Sequence, residues 1–263
     1  MRRYRSALLM LCIAASAAAQ STSSLQPVRI ILVGDSTVAV KSGWGSGFCA
    51  NVAPEVTCIN MAKGGRSSGS YRAEGSWDKV LDELKRYSEF QSTYVLIQFG
   101  HNDQPGKPGR STSLETEFPA NLRHYVEQVK STGAKPVLIT PLARRSFRDG
   151  KLLNTLEPWA EAARKVSAEQ DIPLLDLNAD SVAAVEKMGP FEANTLAMGP
   201  PPPDVAQSVG NGDSVAIPKA APGETAPLFD YTHLGAKGSA FFARMVAAEL
   251  VQAVPDLRRY LKP

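Results

Sequence analysis

The sequence predicts an α/β protein, a three-layer αβα arrangement around a flavodoxin-like, doubly wound sheet of five parallel strands. Three observations predict it. Short apolar runs alternate with amphipathic stretches along most of the chain. The runs are four to six residues long and largely uninterrupted by polar residues, as in strands covered on both faces. Polar, glycine-bearing segments follow the first three runs within a few residues, at the edge where open parallel sheets carry their ligand sites.

The runs at residues 28–33, 56–60, 94–99, 136–140 and 173–176 supply the five strands. Residues 77–87, 114–130 and 157–169 carry apolar side chains at three- and four-residue spacing and read as helices against the sheet. Two further helical stretches, 181–188 and 237–251, follow the last strand. Residues 197–227 break the pattern: rich in Pro, Gly, Ser and Ala, they read as one long loop, either a surface insertion or a wall of the substrate cleft.

Arg2, Arg3 and Arg5, the apolar run 7–15 and the small residues Ala17-Ala18-Ala19 have the pattern of a secretory signal peptide at residues 1–19. The run is too short to span a bilayer. The expectation is a leader followed by one domain over 20–263, exported to the periplasm or the medium. The whole chain carries 29 Lys and Arg against 26 Asp and Glu. Loss of the three leader arginines leaves 26 against 26, so the basic balance belongs to the leader and gives no ground for a nucleic-acid partner. At 43% apolar and 21% charged residues, disordered and collagen-like classes are excluded. Past the leader no segment is apolar enough to predict a membrane span. Cys49 and Cys58 are close in sequence and would meet an oxidising compartment, which favours a disulfide over two buried thiols. Their spacing suits neither a metal site nor a redox pair.

Four polar clusters carry the chemistry. Gly34-Asp35-Ser36-Thr37 follows the first strand, Lys63-Gly64-Gly65-Arg66-Ser67 the second, and Gly100-His101-Asn102-Asp103 the third; Asp230-Tyr231-Thr232-His233 precedes the last helix. A serine hydroxyl needs a base to act as nucleophile, and histidine titrates near neutrality. A carboxylate then fixes the imidazole tautomer and stabilises the imidazolium. Asp230 and His233, three apart, can share one turn and serve Ser36. The oxyanion needs preorganised donors, available from the Ser36 N–H, the unobstructed Gly65 N–H and the Asn102 amide.

Taken together, these blocks and their order resemble those of the SGNH (GDSL-like) hydrolases, over nearly all of the chain past the leader. Gly34-Asp35-Ser36-Thr37, Ala62-Lys63-Gly64-Gly65-Arg66-Ser67, Gln98-Phe99-Gly100-His101-Asn102-Asp103 and Asp230-Tyr231-Thr232-His233-Leu234 look like rhamnogalacturonan acetylesterases and their bacterial relatives. Residues 144–148 and the helix from Pro158 share the likeness less specifically. The resemblance implies a Ser36, Asp230, His233 triad with Ser36, Gly65 and Asn102 in the oxyanion hole. It implies no metal or organic cofactor, and a secreted enzyme that removes acetyl groups from plant cell-wall polysaccharide, chiefly pectin. Loop 197–227 looks longer than the family usually has, which bears on substrate choice. The competing readings are an SGNH esterase for acetyl-xylan, lipid or thioester substrates, and a non-catalytic carbohydrate-binding protein. The expected partner is an acetylated polysaccharide or oligosaccharide, with no nucleic acid and no membrane, the chain acting as a monomer.

Other polar residues carry two readings. Arg66 either attracts an acidic sugar or supports its loop. His101 either touches substrate or makes a structural hydrogen bond. Asp35 and Asp103 are expected to hold loops through backbone N–H groups, with Asp35 a lesser candidate for the triad acid. His124 reads as a mid-helix surface or packing residue. Ser67 and Ser68 are nucleophiles in principle but do not follow the first strand.

Overall fold

The computed structural model describes residues 27–86, 89–208, 212–217 and 228–262. The expected leader, residues 1–19, lies outside the described residues, as do 209–211 and 218–227 of the long loop.

The five expected strands form one sheet. β1 (Val28–Gly34) lies inside it, β2 (Val56–Asn60) at one edge, and β3 (Ser92–Gln98) and β4 (Lys135–Ile139) on the other side. β5 (Phe147–Arg148) and β6 (Lys151–Leu152) pair separately as an antiparallel hairpin. β7 (Leu174–Leu175) completes the sheet in the order β2-β1-β3-β4-β7, every pairing parallel. β7 is shorter than expected because Pro173 has no N–H to donate and Asp176 leaves the strand to pair with Arg164 at 2.9 Å.

Helices cover both faces. α1 (Gly45–Ala50), α2 (Ser68–Ala73), α3 (Ser76–Leu84), α4 (Glu117–Ser131), α5 (Glu157–Gln170), α6 (Leu177–Asn194), α7 (Pro203–Ser208) and α8 (Ala236–Ala253) follow in order, with a 3-10 turn at Pro255–Tyr260. The two-residue period of β1 divides its side chains between two cores. Ile30 and Leu32 pack with Trp44, Phe48, Phe242 and Val246, from the α1 and α8 side. Ile31 and Val33 pack with Trp77, Val80, Leu122 and Val126, from α3 and α4. Each of these buried aliphatic side chains contributes roughly 1.5–3 kcal/mol.

Several details depart from the sequence reading. α1 and α2 are too short to show an amphipathic period. α6 is two helical pieces joined across Gly189, at φ 72°, and Pro190; the sequence marked only the first. The long loop is not wholly irregular: Pro203 opens α7, and Val205 packs with Ala197, Phe229, Ile217 and Tyr231. Its segment 212–217 lies along the β5-β6 hairpin, with Ser214 N donating to Phe147 O at 3.0 Å and Phe147 N to Ser214 Oγ at 2.8 Å. Cys49 and Cys58 are joined, their Cα atoms 5.4 Å apart, and tie α1 to the edge strand β2.

Candidate active site

The chain leaves β1 in one direction for β2 and returns across the other face for β3, so the carboxyl end of β1 is a topological switch point. The three expected blocks stand there. β1 ends on glycine for a steric reason: a Cβ on Gly34 would sit 2.5 Å from Gln98 O. The turn that follows is held from within. Asp35 Oδ1 accepts from Thr37 N at 2.8 Å and Thr37 Oγ1 at 2.7 Å, and Ser42 Oγ donates to Ser36 O at 2.8 Å. Beneath it, Gln98 Nε2 donates to Thr37 Oγ1 at 2.6 Å and Trp44 Nε1 to Gln98 Oε1 at 3.0 Å. Ser36 itself is 8% exposed. Among the described residues its hydroxyl and its N–H enter no hydrogen bond.

The glycine block lies against this turn. A Cβ added to Gly64 would be 3.7 Å from that of Ser36. Gly65 adopts φ 76°, a left-handed conformation that strains any other residue, and its N–H is unspent among the described residues. The Asn102 amide donates one N–H to Arg66 O at 3.1 Å, which leaves the other unused. The N–H groups of Ser36 and Gly65 and one N–H of the Asn102 amide are thus unspent among the described residues, and a developing oxyanion requires such donors. Asp103 ties two blocks together, accepting from Ser68 N at 3.0 Å, Ser68 Oγ at 2.6 Å and Thr112 Oγ1 at 2.9 Å. Burial nevertheless raises its pKa to about 6.

The ambiguous residues sort themselves. Arg66 Nη2 lies 2.9 Å from Glu74 and its Nη1 donates to Gly64 O at 2.8 Å, so the guanidinium braces the glycine block and is not free for a sugar. His101 is 2% exposed, with Nδ1 3.5 Å from Asp35 Oδ2, buried against the nucleophile turn. That contact also commits Asp35 to His101 and Thr37. Burial would raise the Asp35 pKa, but the facing His101 and the Thr37 donors hold it below the ordinary carboxylate value. His124 is exposed on α4. Ser67 caps α2 and Ser68 donates to Asp103, so neither hydroxyl is placed as a nucleophile.

Asp230 and His233 meet as expected. Asp230 Oδ2 is 2.6 Å from His233 Nδ1, and Oδ1 accepts from Thr232 N and His233 N, each at 2.6 Å. Burial works to raise the Asp230 pKa; the hydrogen bonds from His233 and Thr232 outweigh it and hold the carboxyl at about 2. The Leu234 N–H donates to Ser42 O at 2.8 Å, so Ser42 joins the histidine turn to the nucleophile turn. No hydrogen bond yet closes between His233 and Ser36; such catalytic contacts commonly tighten when substrate binds.

Two supports were not singled out from sequence. Ser42 is a loop serine with no signal of its own. Arg145 stood inside the family-like stretch 144–148 without a role. Its guanidinium is fully buried and donates to Asp230 O at 2.7 Å, His233 O at 2.9 Å and Thr232 O at 3.3 Å, so it gathers the carbonyls of the dyad turn. Beside that turn a cleft of about 820 Å³ runs between the β5-β6 hairpin and residues 213–217, with Arg144, Asp230 and Thr232 on its walls.

Comparison with known proteins gives the family. Residues 32–241 match the model of the GDSL-like lipase/acylhydrolase family. The chain belongs to that family. It is 30% identical over 244 residues to a rhamnogalacturonan acetylesterase of Bacillus subtilis strain 168, covering 90% of this chain and 95% of that protein. A probable rhamnogalacturonan acetylesterase of the same strain is 29% identical over 226 residues, covering 83% and 90%. Among solved structures, an acetylxylan esterase from Geobacillus stearothermophilus superposes with a TM-score of 0.56 at 17% identity, over 84% of this chain and 93% of that one, and shares the fold. As a GDSL-like acylhydrolase the chain is a serine carboxylic ester hydrolase.

Proposed function

We propose that this hydrolase is a secreted carbohydrate esterase that removes O-acetyl groups from plant cell-wall polysaccharide, with pectic rhamnogalacturonan as its target. The single observation that carries the catalytic reading is the Asp230–His233 pair. A carboxylate bonded to Nδ1 at 2.6 Å leaves Nε2 as the base, on a turn tied through Leu234 and Ser42 to the one serine with no hydrogen bond to its hydroxyl in the nucleophile turn. The substrate reading is supported by the Bacillus subtilis relatives, which align over nearly their whole length.

In this reading Ser36 Oγ attacks the acetyl carbonyl as His233 Nε2 takes its proton. The oxyanion is held by the N–H groups of Ser36, Gly65 and the Asn102 amide. Collapse expels the sugar hydroxyl, which takes the proton from His233, and leaves acetyl-Ser36. Water activated by His233 then releases acetate. Each oxyanion donor is expected to contribute about 3–4 kcal/mol to the transition state. The test is acetate release from a panel of native acetylated polysaccharides, with Ser36→Ala as control. Acetate from rhamnogalacturonan that disappears in Ser36→Ala supports the proposal. Turnover by Ser36→Ala equal to wild type refutes the catalytic assignment, and release from acetyl-xylan alone refutes the substrate.

A further inference from the structure

Three half-buried cations near the candidate site enter no ion pair among the described residues. The Arg110 guanidinium reaches only neutral oxygens, Gly65 O and Asn102 Oδ1, each at 3.4 Å. The Lys107 ammonium donates to His101 O. Arg144, on the wall of the cleft beside Asp230, donates to Thr155 Oγ1 at 3.0 Å. Among the described residues none of the three forms an ion pair. Arg29, Arg66, Arg123 and Arg164, in contrast, each hold a carboxylate within 3.0 Å.

Lys107 senses the other two. Burial, then repulsion from Arg144 and Arg110, lowers its pKa against the attraction of Asp35 and Asp103, and burial lowers that of Arg144 against the attraction of Asp35 and Asp230. Clustering partly desolvated like charges is unfavourable in the free protein. An anion bound among them would relieve that cost and would gain charge-assisted hydrogen bonds. Lys107 and Arg110 come from the loop after β3, beside the Asn102 amide, while Arg144 comes from the segment after β4, beside Asp230. They therefore come from two loops at the same carboxyl edge of the sheet as Ser36, with Arg110 Nη1 3.6 Å from where a Cβ on Gly65 would stand.

We propose that Lys107, Arg110 and Arg144 form an anion-reading arc that binds a carboxylate on the sugar chain carrying the scissile ester, so that the enzyme selects acidic, uronate-bearing glycans over neutral ones. This rests on the esterase reading above and adds the residues that discriminate. The arc leaves the chemistry at Ser36 unchanged and acts on the recruitment of the substrate, so its effect falls on KM more than on kcat.

The experiment uses the whole enzyme and one acetylated, uronate-containing oligosaccharide, native and after reduction of its carboxyl groups to primary alcohols. The expected wild-type result is a kcat/KM at least about tenfold higher for the acidic form, the worth of one charge-assisted contact, carried mostly by KM. The preference shrinks as salt rises from about 0.05 to 0.5 M. In Arg144→Gln and Lys107→Gln the ratio of the two kcat/KM values moves toward one. Equal kcat/KM for the two forms in wild type overturns the arc, whatever the variants do, and leaves the esterase reading standing. Acetate release from neither form, with p-nitrophenyl acetate still cleaved, overturns both the arc and the glycan reading while keeping the esterase.

Discussion

Replacing Arg145 by methionine tests how the Asp230–His233 turn is held. The guanidinium donates at 2.7 and 2.9 Å to the carbonyls of Asp230 and His233 and at 3.3 Å to that of Thr232. Leaving two well-bonded buried carbonyls without donors costs about 1–3 kcal/mol each. Against this stands the cost of burying the cation. Burial lowers the Arg145 pKa to about 10 despite the attraction of Asp230, and each unit is worth about 1.4 kcal/mol, so methionine recovers about 3 kcal/mol. Two stranded carbonyls, about 2–6 kcal/mol together, against the 3 kcal/mol recovered leave a net loss of up to about 3 kcal/mol in urea unfolding. The group's folded pKa lies below its unfolded one, so its burial penalty is full below pH 10 and fades only above it. The stability difference between wild type and Arg145→Met should therefore be flat from pH 5 to 9. A turn displaced by about 1 Å misaligns the base and costs on the order of 100-fold in kcat/KM. Arg145→Lys, which keeps charge and one or two donors, should recover part of both. An Arg145→Met enzyme within threefold of wild-type kcat/KM would refute this account of the turn.

Three other groups carry further expectations. Asp230→Asn keeps one acceptor oxygen but loses the tautomer lock, so kcat for p-nitrophenyl acetate should fall about 10³–10⁴-fold; a loss under tenfold would reassign the triad acid. Because Asp230 is held at about 2, its stabilising contribution is present above its unfolded value and is lost only as pH falls from about 4 to 2, which acid unfolding of wild type against Asp230→Asn can check. Glu249, buried with neither carboxylate oxygen bonded, has its pKa raised to about 8 by burial and by repulsion from Asp180 and Asp176. Its penalty grows as pH rises from 4.5 through 8, so Glu249→Gln should raise Tm at pH 8.5 by several degrees and change it little at pH 4.5; the reverse order would contradict the assigned burial. Reduction of Cys49–Cys58 removes a short cross-link and should lower stability by about 2–3 kcal/mol, measured with and without reductant.

The sheet was legible because its strands are buried on both faces, so 28–33 and 94–99 stand out as apolar runs whatever surrounds them. The site blocks were legible because chemistry needs particular residue types at strand ends. What escaped depends on long-range geometry. Nothing in the composition around Ser42 tells that its hydroxyl and carbonyl would bridge two turns nearly 200 residues apart in sequence. Arg66 kept two readings in the sequence because Glu74, its partner, is eight residues on and is brought back only by α2. α7 was hidden by the prolines around it, one of which starts the helix.

The bonds beneath Ser36 have a direction. The Trp44 indole can only donate, so Gln98 must turn its oxygen toward it and its amide nitrogen toward Thr37. Thr37, having received that proton, must send its own to Asp35. The chain therefore has one proton arrangement and no mirror form, and it ends on a carboxylate that has no hydrogen to return. A nucleophile turn seated on such a one-way chain has no alternative bonding pattern to relax into. Glutamate in place of Gln98 would break the sequence at its centre, because an ionised carboxylate has nothing to give Thr37.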